Sequence, residues 1–234
     1  MGAQPLYQTD ETHNSPLVPK NPLAAVYTEA EYLASDEAAE GRWEFMDGRI
    51  LPVGAPKLAN QLDPQFRAGA SNNHNELCRV LGGLFFTRLR KGCRAFTADA
   101  RTFTAVSKTY TYPDLVVFCG QPSYLDASAK VPSLTNPVLL VEVGSASTKN
   151  YDRSGKLMRY LSIESLQHYL MVDSQQMQVE LYTRLPAGTW EFWIGRLPEQ
   201  IIDLKSLDCQ INLAELYDEV VFEPSDETAT AGPE

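Results

Sequence analysis

The sequence has no apolar run approaching the ~20 residues that a membrane-spanning helix requires. Its opening stretch, MGAQPLYQTDETHNSPLVPKNP, has none of the apolar core that a secretory signal needs. Leu6 stands where an N-myristoylation signal wants Ser or Thr. These absences lead to the expectation of a cytoplasmic protein with no membrane partner. Cysteine is sparse and scattered. Cys78, Cys93, Cys119 and Cys209 form no C-x-x-C pair, so no zinc site of closely spaced thiolates is expected. They read as small apolar side chains kept reduced. Positive charge is short as well: 20 Lys and Arg against 30 Asp and Glu leave a net charge of −10, which argues against a general nucleic-acid coat. There is no internal repeat.

What is present suits one globular unit. Apolar residues make up 44% of the 234, enough for one sizeable core. We expect a flexible arm over 1–27, a single domain over 28–222 and an acidic disordered tail over 223–234. Charge is unevenly placed. Residues 79–108 contain Arg79, Arg88, Arg90, Lys91, Arg94, Arg101 and Lys108 against the single acid Asp99. That segment is either a local basic surface on an acidic protein or an ordinary solvated helix face and strand edge.

Local signals predict the elements. Thr28 and Glu31 form a capping box at the start of a short helix. Asp47-Gly48 between apolar stretches predicts a hairpin. Residues 52–70 read as an irregular loop, rich in Pro and Gly. A helix capped by Asn73 or a neighbour runs to about Arg90, with Leu77, Val80, Leu81, Leu84, Phe85 and Leu89 as its stripe. Strands are expected over Arg94–Thr104, Tyr112–Cys119 and Val138–Val143, a helix over Tyr151–Ile163, and a strand over His168–Asp173. Gln178–Arg184 and Trp190–Gly195 read as further strands, and Leu213–Tyr217 as a short helix. The order is that of an α/β fold with a mixed sheet.

The chemistry lies in three residues. Asp114 follows Pro113 and opens the apolar run Leu115-Val116-Val117-Phe118. Glu142 closes Val138-Leu139-Leu140-Val141. A carboxylate beside a buried strand is costly unless it is paired, hydrogen-bonded or metal-bound. Two such groups at the ends of neighbouring strands repel, and a divalent cation relieves them. Their hard oxygens suit Mg²⁺, with Mn²⁺ able to substitute, and the Val143 carbonyl can add one more. Lys156, on the helix that follows, can orient or help deprotonate an attacking water beside the ion. Each residue has an ordinary reading when taken singly. Pro-Asp marks a turn, a strand-end Glu is solvated or salt-bridged, and Lys156 pairs along its helix with Asp152. The ordered set carries more than its members.

The stretches TEAEYLA, WEFMDGRI, His74 ahead of its helix, YPDLVVF and, at greatest length, PVLLVEVGSASTKNYDRSGKLMRYLSIESLQHYLMVD together resemble the Uma-type putative restriction endonuclease family. That family is abundant in cyanobacteria and belongs to the PD-(D/E)XK nuclease superfamily. The resemblance spans about Thr28 to Arg184. It implies a restriction-endonuclease-like core of helix, three strands, helix and strand around one metal site, with an added N-terminal hairpin and C-terminal strands. It implies Asp114 and Glu142 as metal ligands. The superfamily's Lys, expected two residues after the Glu, is replaced here by Gly144, so its role passes to Lys156. Glu44 matches the family's acidic position before the hairpin and is either a third acid near the metal or one half of a cross-strand ion pair. His74 is a candidate contact for phosphate or for water at the metal, or else a capping or packing residue. Ser145 and Thr148 are candidates for capping or phosphate contact, and Trp190 and Trp193 for base stacking or core.

The function expected is a Mg²⁺-dependent phosphodiesterase acting on nucleic acid, a DNA endonuclease, working as a homodimer because two strands call for two sites. The alternative is a catalytically silent nuclease-like module that binds nucleic acid or protein. A metal-free hydrolase using two carboxylates on a sugar is a third class.

Overall fold

In the computed structural model, which describes residues 26–38, 42–53, 71–97, 99–144 and 155–222, the expected capping box forms. Glu31 N–H donates to Thr28 Oγ1 at 3.2 Å, and Thr28 N–H donates back to Glu31 Oε2 at 2.7 Å. Helix α1 (Glu29–Ala38) follows and buries Tyr32 completely. Strands β1 (Trp43–Met46) and β2 (Arg49–Pro52) form the hairpin. Asp47 and Gly48 both take positive φ, 50° and 73°, as a tight hairpin turn with right-handed strand twist demands.

Helix α2 (Asn72–Arg88) is capped by Ser71, whose side chain accepts from His74 N–H. Asn73 lies inside the helix, and its amide reaches the Ser174 and Val221 carbonyls. Leu77, Leu81 and Phe85, one face at helical spacing, are buried.

The expected strand Arg94–Thr104 is two strands in two sheets: β3 (Cys93–Thr97) and β4 (Thr102–Thr104). The break falls ahead of Arg101, a fully buried side chain drawn to Asp36 of α1 at 2.7 Å. The chain continues through β5 (Thr109–Thr111), β6 (Leu115–Cys119), β7 (Leu139–Gly144), the short α3 (Leu157–Leu161), β8 (His168–Asp173), β9 (Val179–Arg184) and β10 (Trp190–Gly195). A hairpin not anticipated from sequence, β11 (Ile201–Leu204) and β12 (Cys209–Asn212), then leads into α4 (Leu213–Leu216).

Two sheets frame the molecule. The larger has strand order β10-β9-β8-β7-β6-β3, and only β7 and β8 run parallel. Alternation sends Leu115, Val117, Leu139 and Val141 to one face, against α2, β11, β12 and α4. Val116, Phe118 and Leu140 go to the other, against Tyr160 of α3. The smaller sheet, β2-β1-β5-β4, packs Phe45, Ile50 and Tyr110 on Tyr32 of α1. The result is a mixed α/β architecture of several sheets and few helices. Among the described residues no helix is long and apolar enough to cross a membrane.

One expectation needs correction, and one open alternative is narrowed. Cys93 and Cys119 are not reduced thiols but a disulfide, because β3 and β6 pair in a register that sets them directly opposite. Nor is the basic segment an open positive surface. Arg79 pairs with Glu76 and Glu219, Arg88 with Glu215, Lys108 with Glu29, and Arg101 is buried. Among the described residues Arg90, Lys91 and Arg94 of that segment make no ion pair, and Arg94 lies over the Phe118 ring. The arm over 1–25, most of the loop over 52–70, the acidic tail, Ser145, Thr148 and Asp152 lie outside the described residues. So do residues 151–154 of the expected helix, whose regular part starts at Leu157.

Candidate functional site

Asp114 and Glu142 lie on neighbouring strands at the same end of the large sheet. Strands β6 and β7 pair antiparallel, with Leu115 opposite Val141. One step outward, Asp114 comes against the end of β7, where its Oδ2 accepts from Val143 N–H at 2.7 Å. A residue's N–H and C=O point to the same side of an extended strand, so the Val143 carbonyl also faces the flank where Asp114 sits. The next residue alternates: the Gly144 carbonyl faces β8 and accepts from Ser174 N–H.

Glu142 points to the sheet face that carries α3. Its Oε1 accepts from Lys156 Nζ at 3.0 Å and from the Tyr160 hydroxyl at 2.9 Å. Lys156, immediately before α3, is 2% exposed, and its ammonium also donates to Glu44 Oε1 at 2.7 Å. Glu44 is on β1 of the other sheet, with its neighbour Phe45 turned into the core beside α1. Glu44 Oε1 accepts in addition from Tyr112 N–H at 3.2 Å. Two carboxylates from two sheets thus share one buried ammonium. Water is largely excluded there, so the charges interact far more strongly than they would at the surface. Glu44 is an inter-sheet partner of Lys156.

His74, in the first turn of α2, faces Asp114 from the opposite side, with Nε2 3.1 Å from Asp114 Oδ1. Burial disfavours its charged form, but the Asp114 and Cys78 contacts outweigh burial and raise its pKa to about 10. Asp114 therefore has one oxygen on a backbone amide and the other on an imidazolium. Tyr160 is pushed well above the ordinary phenol value by burial first and the Glu142 charge second, so it remains a proton donor to that carboxylate.

The five candidate side chains fall into two hydrogen-bonded groups on consecutive residues of β7: Lys156 and Glu44 gather on Glu142, and His74 and Asp114 on the Val143 backbone. The sequence reading missed two members. Tyr160 reads as a core position on an amphipathic turn, and only the need of a buried hydroxyl for a partner hints otherwise. Cys78 lies one helical turn after His74, with Sγ 3.8 Å from Nδ1. The i, i+4 spacing was the available signal. Trp193 packs against the large core, and Trp190 lies against the Arg184 guanidinium.

A family model described as Uma2, putative restriction endonuclease, matches residues 29–214. The chain belongs to the Uma2 family. The chain is also similar to two uncharacterized proteins of the cyanobacterium Synechocystis sp. The first, sll1609, is 34% identical over 166 residues, covering 70% of this chain and 85% of the relative. The second, slr1290, is 29% identical over 193 residues, covering 82% and 92%. Membership supports a nuclease. The Uma2 match also encloses every residue of the two groups described above.

Proposed function

We propose that this chain is a metal-dependent phosphodiesterase, a cytoplasmic DNA endonuclease with a restriction-endonuclease-like core, folded as one domain over residues 28–222. The observation that carries the reading is the buried Lys156 ammonium held between Glu44 and Glu142, with Asp114 bonded to the β7 residue that follows Glu142. A buried ion network is expensive to maintain for stability alone, since apolar residues of similar volume often serve as well. Its presence where two strands deliver carboxylates favours a working site.

The donor set fits the cation. Asp114, Glu142 and the Val143 carbonyl supply hard oxygens from adjacent strand positions, which suits Mg²⁺ or Mn²⁺. Such an ion, when bound, supplies Lewis-acid stabilisation of phosphate charge and a more acidic water. The chain's own residues do the rest. Val143 N–H fixes the Asp114 carboxylate, and Tyr160 and Lys156 hold Glu142 at one oxygen. Lys156, as an ammonium between two carboxylates, acts electrostatically: it orients the acids and offsets charge developing on the phosphate. His74 keeps the outer face of Asp114 in place and offers an N–H toward a phosphate oxygen.

One observation favours a binding module without turnover: the ion pairs that occupy most of the 79–108 basic segment leave few cations for a DNA backbone. Cleavage decides between the two. Supercoiled plasmid with Mg²⁺ or Mn²⁺ should be nicked and linearised by the wild type and left intact by Asp114→Asn and Glu142→Gln. Equal cleavage by those variants assigns the activity to a contaminant and removes the reading. An inert wild type that still binds DNA establishes the silent module. A homodimer, expected for double-strand cleavage, is read by light scattering on the same preparation.

A further inference from the structure

The His74 side of Asp114 has a chemistry that the hard-oxygen reading does not use. Cys78 follows His74 at i+4 on α2, so both side chains occupy one face of the helix. Asp114 faces them from the start of β6. One ligand atom from each of the three lies within 4.8 Å of the other two. His74 Nε2 is 3.1 Å from Asp114 Oδ1 and 4.0 Å from Cys78 Sγ.

We propose that His74, Cys78 and Asp114 form a binding site for a borderline transition-metal ion of the Zn²⁺ or Co²⁺ class. Ligands at about 2.0–2.3 Å from a tetrahedral ion stand about 3.3–3.8 Å apart. The observed nitrogen–oxygen and nitrogen–sulfur separations bracket that span, and the sulfur–oxygen separation is within 4.8 Å, so side-chain shifts of about an ångström close the site. One nitrogen, one sulfur and one oxygen, once the ion has displaced the His74 ring proton and the Cys78 thiol proton to solvent, are the wrong donors for Mg²⁺ and the right ones for zinc. The carboxylate is already aimed: Val143 N–H holds Oδ2 at 2.7 Å, which leaves Oδ1 toward the imidazole and thiol. All three side chains are half-buried, so an ion can enter from solvent and still be shielded. Three protein ligands leave a fourth position for solvent or for a phosphate oxygen.

The inference shares Asp114 with the proposed nuclease centre but does not need catalysis, and the test separates them. Metal-free full-length protein, with its disulfide intact and no added thiol, is titrated with Co²⁺ while thiolate-to-cobalt absorption is followed in the near ultraviolet. The wild type should develop this band with one equivalent and lose it when Zn²⁺ is added. Cys78→Ser should abolish the band, and His74→Gln should weaken cobalt binding at least about ten-fold. Cys209→Ser, which alters the other free thiol, should keep the band. Glu142→Gln should also keep it while losing Mg²⁺-dependent cleavage. No band in the wild type, or an undiminished band in Cys78→Ser, overturns the proposal. Absence of cleavage by a wild type that shows the band removes the nuclease reading alone.

Discussion

The Lys156 ammonium lies 2.7 Å from Glu44 Oε1, across the gap between the two sheets and 112 residues along the chain. Both side chains are at most 2% exposed. That contact ties the fold to the site, because the group that bridges the sheets also holds Glu142.

Lys156→Met leaves Glu44 and Glu142 without their shared ammonium in a largely water-free setting. We expect a loss of about 3–5 kcal/mol in urea denaturation, together with loss of cleavage. Adding Glu44→Gln to this variant should restore part of the stability and none of the activity. A single variant as stable as wild type contradicts the burial of the network.

Tyr160→Phe deletes one hydrogen bond to Glu142 and keeps the ring against Tyr169. Stability should fall by about 1 kcal/mol. The apparent affinity for Mn²⁺, read by calorimetry, should change as well, because Glu142 loses one of the donors that position it. An unchanged Mn²⁺ titration would make Tyr160 a packing residue only.

Asp36 accepts from Arg101 and from the Tyr112 hydroxyl, each at 2.7 Å. Asp36→Leu strands the Arg101 guanidinium inside the protein and should cost about 3–5 kcal/mol. The pair Asp36→Leu with Arg101→Leu should be less destabilised than the first change alone. Additive losses in a double-mutant cycle would show that the two residues do not interact.

His168 is 1% exposed and makes a 3.2 Å contact from Nδ1 to Thr183 Oγ1. Burial pushes its pKa from 6.5 down to about 4, with the Asp203 charge only partly opposing. Between those values the unfolded chain binds the proton and the folded one does not. Stability is therefore full above about pH 6.5 and falls as pH drops toward 4, by up to about 3 kcal/mol. Stability curves of the wild type and His168→Gln should converge over this window as the pH is lowered. Parallel curves refute the assignment.

The Cys93–Cys119 disulfide predicts a thiol count. Denatured, unreduced protein should react with two equivalents of thiol reagent, at Cys78 and Cys209, and reduction should raise this to the four cysteines of the sequence. Four reactive thiols before reduction exclude the bond in solution.

Much of the frame was legible locally. The Thr28–Glu31 cap, the Asp47-Gly48 turn, the α2 stripe and the apolar runs of β6 and β7 depend on neighbours a few residues apart, and periodicity records such neighbours directly. The failures share a cause. Nothing near Arg101 announces Asp36, 65 residues earlier, so the split between β3 and β4 was hidden. The β11–β12 hairpin turns on Asp208 at positive φ, a residue with no glycine beside it to mark the turn. The disulfide depends on strand register, which spacing does not encode.

The candidate site divides in the same way. The sequence alone determined which residues carry acid, base and imidazole, and it placed Asp114 and Glu142 at the ends of apolar strands. Only the tertiary structure decided that Glu44 meets Lys156 across two sheets, that Tyr160 joins Glu142, and that Cys78 closes on His74 beside Asp114. The reason is physical: periodicity reports which way a side chain faces, whereas a contact between distant segments depends on how sheets and helices stack, which local propensity does not fix.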